Sequence, residues 1–197
     1  MKNKFNRLTS KEWLPFQKSW FRYTGKRDLY RENIRFFCQA ENNGSRIYYY
    51  GNDNDMFFHI AKENNETAIS NSGMEKVPIQ FAVFDLTDII NNLTTVENYR
   101  TVKDNVIRRV KSIYFLLTER RFIAVFIPNI EKNGLYYPYA WDLAKSIGRM
   151  MSLKDEKIGC DESGSTFYTL YFRKDENSVG LSVCDENMGF TFNNLTK

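Results

Sequence analysis

The chain has 197 residues and a mass of 23.3 kDa, enough for one sizeable core and short for two. Apolar residues make up 42% and charged residues 26%, with 4 Pro and 10 Gly, which excludes a disordered, collagenous or low-complexity chain. The formal net charge of +4 is uneven: residues 1–46 hold 11 Lys/Arg and 4 Asp/Glu, and residues 47–197 hold 17 and 20.

A basic head on a weakly acidic body points to a polyanion or an acidic partner at one end. No apolar run approaches the roughly 18 residues of a membrane span, so no membrane association is expected. No apolar stretch follows the charges of Met1–Arg7, so no cleaved leader is expected. Cys38, Cys160 and Cys184 form no C-x-x-C and read as reduced thiols of a cytoplasmic protein. The lone histidine, His59, reads as a helix residue, and no metal site is expected.

In chain order, Thr9 and Glu12 have capping-box spacing, and Trp13, Phe16 and Trp20 would share one helical face. A second helix is expected over 29–39. Residues 46–50 form a β-branched and aromatic strand, ended by Gly51-Asn52-Asp53-Asn54-Asp55. A helix over 56–64 and a short strand over 67–70 follow. Residues 79–85 make a buried strand ending on Asp85. A long amphipathic helix spans 96–119, with Tyr99, Val102, Val106, Val110, Ile113 and Leu117 at 3.6-residue spacing. A core strand covers 122–127 and a helix 139–151. Two last strands, 157–160 and 166–173, are joined too tightly for a parallel crossover and must be antiparallel. The order is α/β: a mostly parallel Rossmann-like sheet covered on both faces, with an antiparallel strand at its C-terminal end. Residues 1–40 read as a basic, aromatic, helical arm, 41–175 as the α/β domain, and 176–197 as an extension.

Several stretches resemble the amino-methylating DNA methyltransferases (adenine-N6 and cytosine-N4). Arg121–Asn129 resembles that family's fifth strand. Lys132-Asn133-Gly134-Leu135-Tyr136-Tyr137-Pro138-Tyr139-Ala140-Trp141-Asp142-Leu143-Ala144 is similar to its following loop and helix, and Thr166–Arg173 to its terminal aromatic strand. The resemblance implies a class I methyltransferase-type sheet. It places the cofactor loop at Tyr50, Gly51, Asp53 and Asp55, and the catalytic strand end at Asp85 and Asp88. Both chemical motifs depart from the family pattern. Where the family has D-x-F-x-G-x-G, this chain keeps a single glycine, Gly51. Where the family has D-P-P-Y, it reads Asp85-Leu86-Thr87-Asp88, and no such tetrapeptide occurs elsewhere.

The expectation is therefore a degenerate methyltransferase-like protein without catalysis, a nucleic-acid-associated or regulatory subunit of a DNA-modification, restriction or phage-related system. No cofactor is expected, with S-adenosylmethionine the candidate if the pocket survives. DNA or RNA and another protein subunit are the candidate partners. Cations interleaved with aromatics suggest a phosphate grip at Lys18, Arg22, Lys26, Arg27, Arg31, Arg108 and Arg109. The alternatives are an active methyltransferase with atypical motifs and a Mg²⁺ nuclease. The nuclease would use Asp53, Asp55, Asp85 and Asp88 at strand ends, or the Asp155-Glu156-Lys157 string.

Overall fold

The computed structural model describes residues 8–9, 11, 14–38, 46–70, 77–93, 95–132, 134–160, 162 and 164–175. Seven strands form one sheet: β1 (Trp20–Arg22), β2 (Arg46–Tyr50), β3 (Ala68–Ile69), β4 (Ile79–Asp85), β5 (Leu117–Ile127), β8 (Ser152–Cys160) and β9 (Thr166–Arg173). Their order is β1-β8-β9-β5-β4-β2-β3. All neighbours are parallel except those of β9, which runs antiparallel to both β5 and β8. A separate hairpin pairs β6 (Ile130–Lys132) with β7 (Leu135–Tyr137). The helices are α1 (Lys26–Phe37), α2 (Asn54–Glu63), α3 (Thr87–Asn91), α4 (Val96–Leu116) and α5 (Tyr139–Ile147).

Two-residue periodicity divides each core strand between two buried clusters. Ile47 and Tyr49, Phe81 and Val83, Ala124 and Phe126, and Tyr171 join Leu29, Ile34 and Phe37 of α1 and Phe57 and Ile60 of α2 on one face. Tyr48, Ala82, Phe84, Ile123, Val125, Leu170 and Phe172 meet Val106, Val110 and Ile113 of α4 and Leu143 and Ile147 of α5 on the other. All seven residues of β4 are buried, as a central parallel strand requires.

Several boundaries differ from the sequence expectation, each for a tertiary reason. The helical face of Trp13, Phe16 and Trp20 does not form. Leu14–Gln17 is a 3₁₀ turn, Trp20 begins β1, and Trp13 lies outside the described residues. Strand β1 exists because β8 offers it a ladder, which local periodicity does not reveal. Helix α1 starts at Lys26, three residues early. Gly25 supplies the turn at φ 150°, Thr24 hydrogen-bonds Asp28, and Asp28 places negative charge in the first turn. Residues 20–38, within the expected arm, are thus built into the sheet and its core. Strand β5 begins at Leu117, hidden in the sequence by the polar run Thr118–Arg121. Strand β8 begins at Ser152, with mostly exposed residues up to Glu156. Helix α5 stops at Ile147, with Gly148 at its C-terminus. The hairpin β6–β7, turned by Gly134 at φ 70°, and the short α3 are additions to the expected elements. Cys184 and the other residues of the 176–197 extension lie outside the described residues.

Candidate functional site

In an open parallel sheet, ligands bind beyond the carboxyl ends of the strands. Here the ends of β2 and β4 bring Asp53 and Asp85 together, and the first turn of α3 adds Asp88. Helix α1 lies across them and delivers Lys26 and, one turn later, Tyr30. The Lys26 ammonium sits 2.7 Å from Asp53 Oδ2, 2.5 Å from Asp88 Oδ2 and 3.4 Å from Asp85 Oδ2. Burial pulls the Lys26 pKa down, but the carboxylates of Asp85, Asp53 and Asp88 outweigh it and hold the group above the ordinary lysine value. One cation thus ties together three acids that would otherwise repel each other.

Asp85 is 2% exposed, and both its carboxylate oxygens accept hydrogen bonds. Its Oδ1 accepts from the Thr87 N–H at 3.0 Å and the Thr87 hydroxyl at 2.6 Å. Its Oδ2 accepts from the Tyr30 hydroxyl at 2.5 Å. The Tyr30 oxygen lies 3.0 Å from the Tyr49 hydroxyl, which in turn accepts from the Asp53 N–H at 3.3 Å. With the single Tyr30 proton given to Asp85, the Tyr49 hydroxyl is the one left to donate to Tyr30. Burial first, then the Asp85 charge, pushes both tyrosines well above the usual phenol range, so both stay protonated donors.

The remaining glycine of the expected cofactor loop is half-buried, with its Cβ side against the protein. A Cβ on Gly51 would overlap the Tyr49 hydroxyl and lie 3.0 Å from the Asp85 carbonyl oxygen. Glycine is therefore required at this position by the protein's own packing. Tyr50 packs 5.7 Å from Phe84, under the Arg109 guanidinium at 4.7 Å. Asp55 is exposed in the first turn of α2 and takes no part in the cluster. Beside Lys26 and Asp88 lies a cavity of about 260 Å³, walled by Tyr23, Thr87, Pro128 and Phe167. Asn129 does not line it: its Oδ1 accepts from the Ala140 N–H at 2.9 Å and its amide donates to the Tyr136 hydroxyl at 2.7 Å. A larger aromatic recess of about 520 Å³, between Phe16, Phe37, Phe122 and Tyr171, lies away from the acids. Of its cations, Arg173 and Lys154 pair with Asp175 at 2.7 and 3.4 Å.

The predicted phosphate-gripping cations do not converge. Lys26 is taken up by the three acids. Arg27 pairs with Glu63 at 2.5 Å and Arg31 with Asp28 at 2.8 Å. Arg108 contacts Asn105 at 2.5 Å. Lys18 and Arg22 are exposed near β1. Arg109, over β2's last residue, is five strand steps from Arg22, or about 24 Å at the usual strand spacing. Asp155 and Lys157 stand 3.4 Å apart on β8, with the Lys157 amine buried over the Phe16 ring at 4.0 Å. Sequence reasoning finds Asp53, Asp85 and Asp88 but misses their partners. Lys26 and Tyr30 are four residues apart, a helical pairing signal that stays hidden when the helix is taken to begin at Leu29.

The strand order, with one reversed strand between parallel neighbours, defines a Rossmann-like α/β sheet of class I methyltransferase type. No protein-family model and no curated protein matches the chain. Among solved structures, it is similar to TTHA0409 of Thermus thermophilus, provisionally assigned as a DNA modification methylase. That match has 13% identity and a TM-score of 0.44, over 67% of this chain and 53% of that one. This chain therefore spans about half the length of that protein. The same protein complexed with S-adenosyl-L-methionine aligns at 14% identity and a TM-score of 0.42, over 67% and 54%. A type 11 methyltransferase of Sulfolobus solfataricus, also provisionally assigned, aligns at 11% identity and a TM-score of 0.43, over 86% of this chain and 94% of that one.

Proposed function

We propose that this chain is a methyltransferase-like domain without catalysis, serving as a regulatory or nucleic-acid-associated subunit in a DNA-modification, restriction or phage-related system. The carrying observation is the Lys26 ammonium, bonded to Asp53 and Asp88 and 3.4 Å from Asp85. Methyl transfer needs the donor held and the nucleophilic nitrogen positioned, and in the family this chain resembles an Asp at this strand end faces the target amino group. Asp85 instead accepts three internal bonds, and the Cβ side of Gly51 faces the Tyr49 hydroxyl. The same ammonium stands where a divalent cation would have to bridge these acids, which disfavours the nuclease reading. Supporting the nucleic-acid association is the basic balance of residues 1–46, and of the seven predicted cations Lys18, Arg22 and Arg108 are exposed without an acidic partner among the described residues.

Titration with S-adenosylmethionine by calorimetry should give no binding heat. Micromolar affinity would overturn the reading and favour an atypical active enzyme whose substrate enters the cavity beside Asp88. Mg²⁺-dependent DNA cleavage that disappears in Asp85→Ala would establish the nuclease instead. For the nucleic-acid role, DNA and RNA retardation should weaken steeply with salt and with charge reversal at Lys18. Retention that ignores both removes nucleic acid from the proposal and leaves the protein-regulatory role.

A further inference from the structure

One edge of the large sheet is β1. Its ladder to β8 uses the Ser19 carbonyl, which accepts from the Ile158 N–H at 2.9 Å, and the Tyr23 N–H, which donates to the Cys160 carbonyl at 3.0 Å. Bonding direction alternates along a strand. The N–H and C=O of Trp20 and Arg22 therefore point outward, where no described strand of this chain lies. Both side chains are exposed, Trp20 at 57%. Trp20 stands opposite Ile158, 37% exposed, and Ile158 opposite Tyr168. Trp141 of α5, 51% exposed, contacts the Tyr168 ring at 6.2 Å. An apolar strip thus runs across three strands to an open edge, on the face that carries the Trp20 and Arg22 side chains.

We propose that β1 is the pairing edge for a second copy of this chain, added antiparallel about a two-fold axis through Phe21. That axis sets Trp20 of one copy opposite Arg22 of the other, twice. The outward main-chain groups of 20 and 22 then match as hydrogen-bonded pairs. Each guanidinium comes to lie beside an indole on the same face, a cation–aromatic contact made in both directions. An isologous contact must be self-complementary, and the sequence Trp20-Phe21-Arg22 is so about its central residue. That self-complementarity selects a second copy over an unrelated strand. A three-residue edge is short, so the association belongs with weak, concentration-dependent interfaces.

Sedimentation equilibrium of the full chain, from micromolar to sub-millimolar, should show a reversible species of twice the 23.3 kDa mass. Trp20→Arg places two guanidinium groups opposite each other and should lower the association constant about tenfold or more. The exchange W20R/R22W restores one arginine opposite each tryptophan and should recover the dimer. Circular dichroism of each variant confirms that it folds. A wild-type chain that stays monomeric overturns the proposal and means that other residues of the chain, or a different protein, cover the strip. A dimer indifferent to W20R, or a folded W20R/R22W chain that stays monomeric, overturns it as well.

Discussion

Replacing Lys26 with methionine should destabilise the protein by about 2 kcal/mol at neutral pH. Methionine keeps the length and much of the packing of the side chain but removes its charge. Asp53, Asp85 and Asp88 would then face one another without their shared cation. Removing one partner of a buried pair costs about 3–5 kcal/mol. Lys26 is 28% exposed and Asp88 43%, so solvent screens part of that loss. Lys26 is held protonated above its ordinary value of 10.5, so its contribution is fully present at pH 7. Urea unfolding of wild type and variant at pH 7 reads the difference directly. Equal stability of the two would mean that Lys26 acts by packing alone, and would remove the ion cluster as the feature that holds the three acids together.

Glu66→Gln should remove about 2–3 kcal/mol of pH-dependent stability loss. Glu66 lies just beyond α2 and is 7% exposed. The Gln80 amide donates to it at 2.5 Å. Burial raises its pKa from 4.5 to about 7, against the opposing pull of the Gln80 hydrogen bond and the Arg121 charge. The folded state therefore holds a proton that the unfolded state releases. Below pH 4.5 both states are protonated, and the contribution of this site to stability is complete. Between pH 4.5 and 7 the unfolded chain ionises first, so stability falls as pH rises, and above pH 7 the loss is complete. Glutamine can accept the same hydrogen bond and does not ionise. Thermal or urea unfolding between pH 4 and 8 should show the variant gaining on wild type with rising pH. Equal slopes would show that Glu66 is ionised throughout, most simply through the nearby Arg121.

The strands that carry the core were legible because burial on both faces writes itself into a local run. Ile79–Asp85 and Thr166–Arg173 fall where the residue pattern placed them. The antiparallel turn of β9 was legible from the short connection before it. Elements made by tertiary pairing were not. Trp20–Arg22 is too short to announce a strand and is one only because β8 lies beside it. Ser152–Glu156 is polar because it lies near the sheet edge, so its strand carried no apolar signal. At the site, the acids were legible as residues at strand ends. Their chemistry was not, because the partner of each is far away in sequence: Lys26 is 27 positions from Asp53 and 62 from Asp88.

By itself the sequence determined the α/β class and the buried strands, since each is written in local pattern. Only the tertiary structure decided that Lys26 lies among three carboxylates, and that the Cβ side of Gly51 faces Tyr49. The physical reason is that a charge is assigned by its nearest counter-charge in space. Packing α1 across the ends of β2 and β4 put the acids within 3.4 Å of that lysine, where they hold it far more strongly than a screened surface charge could.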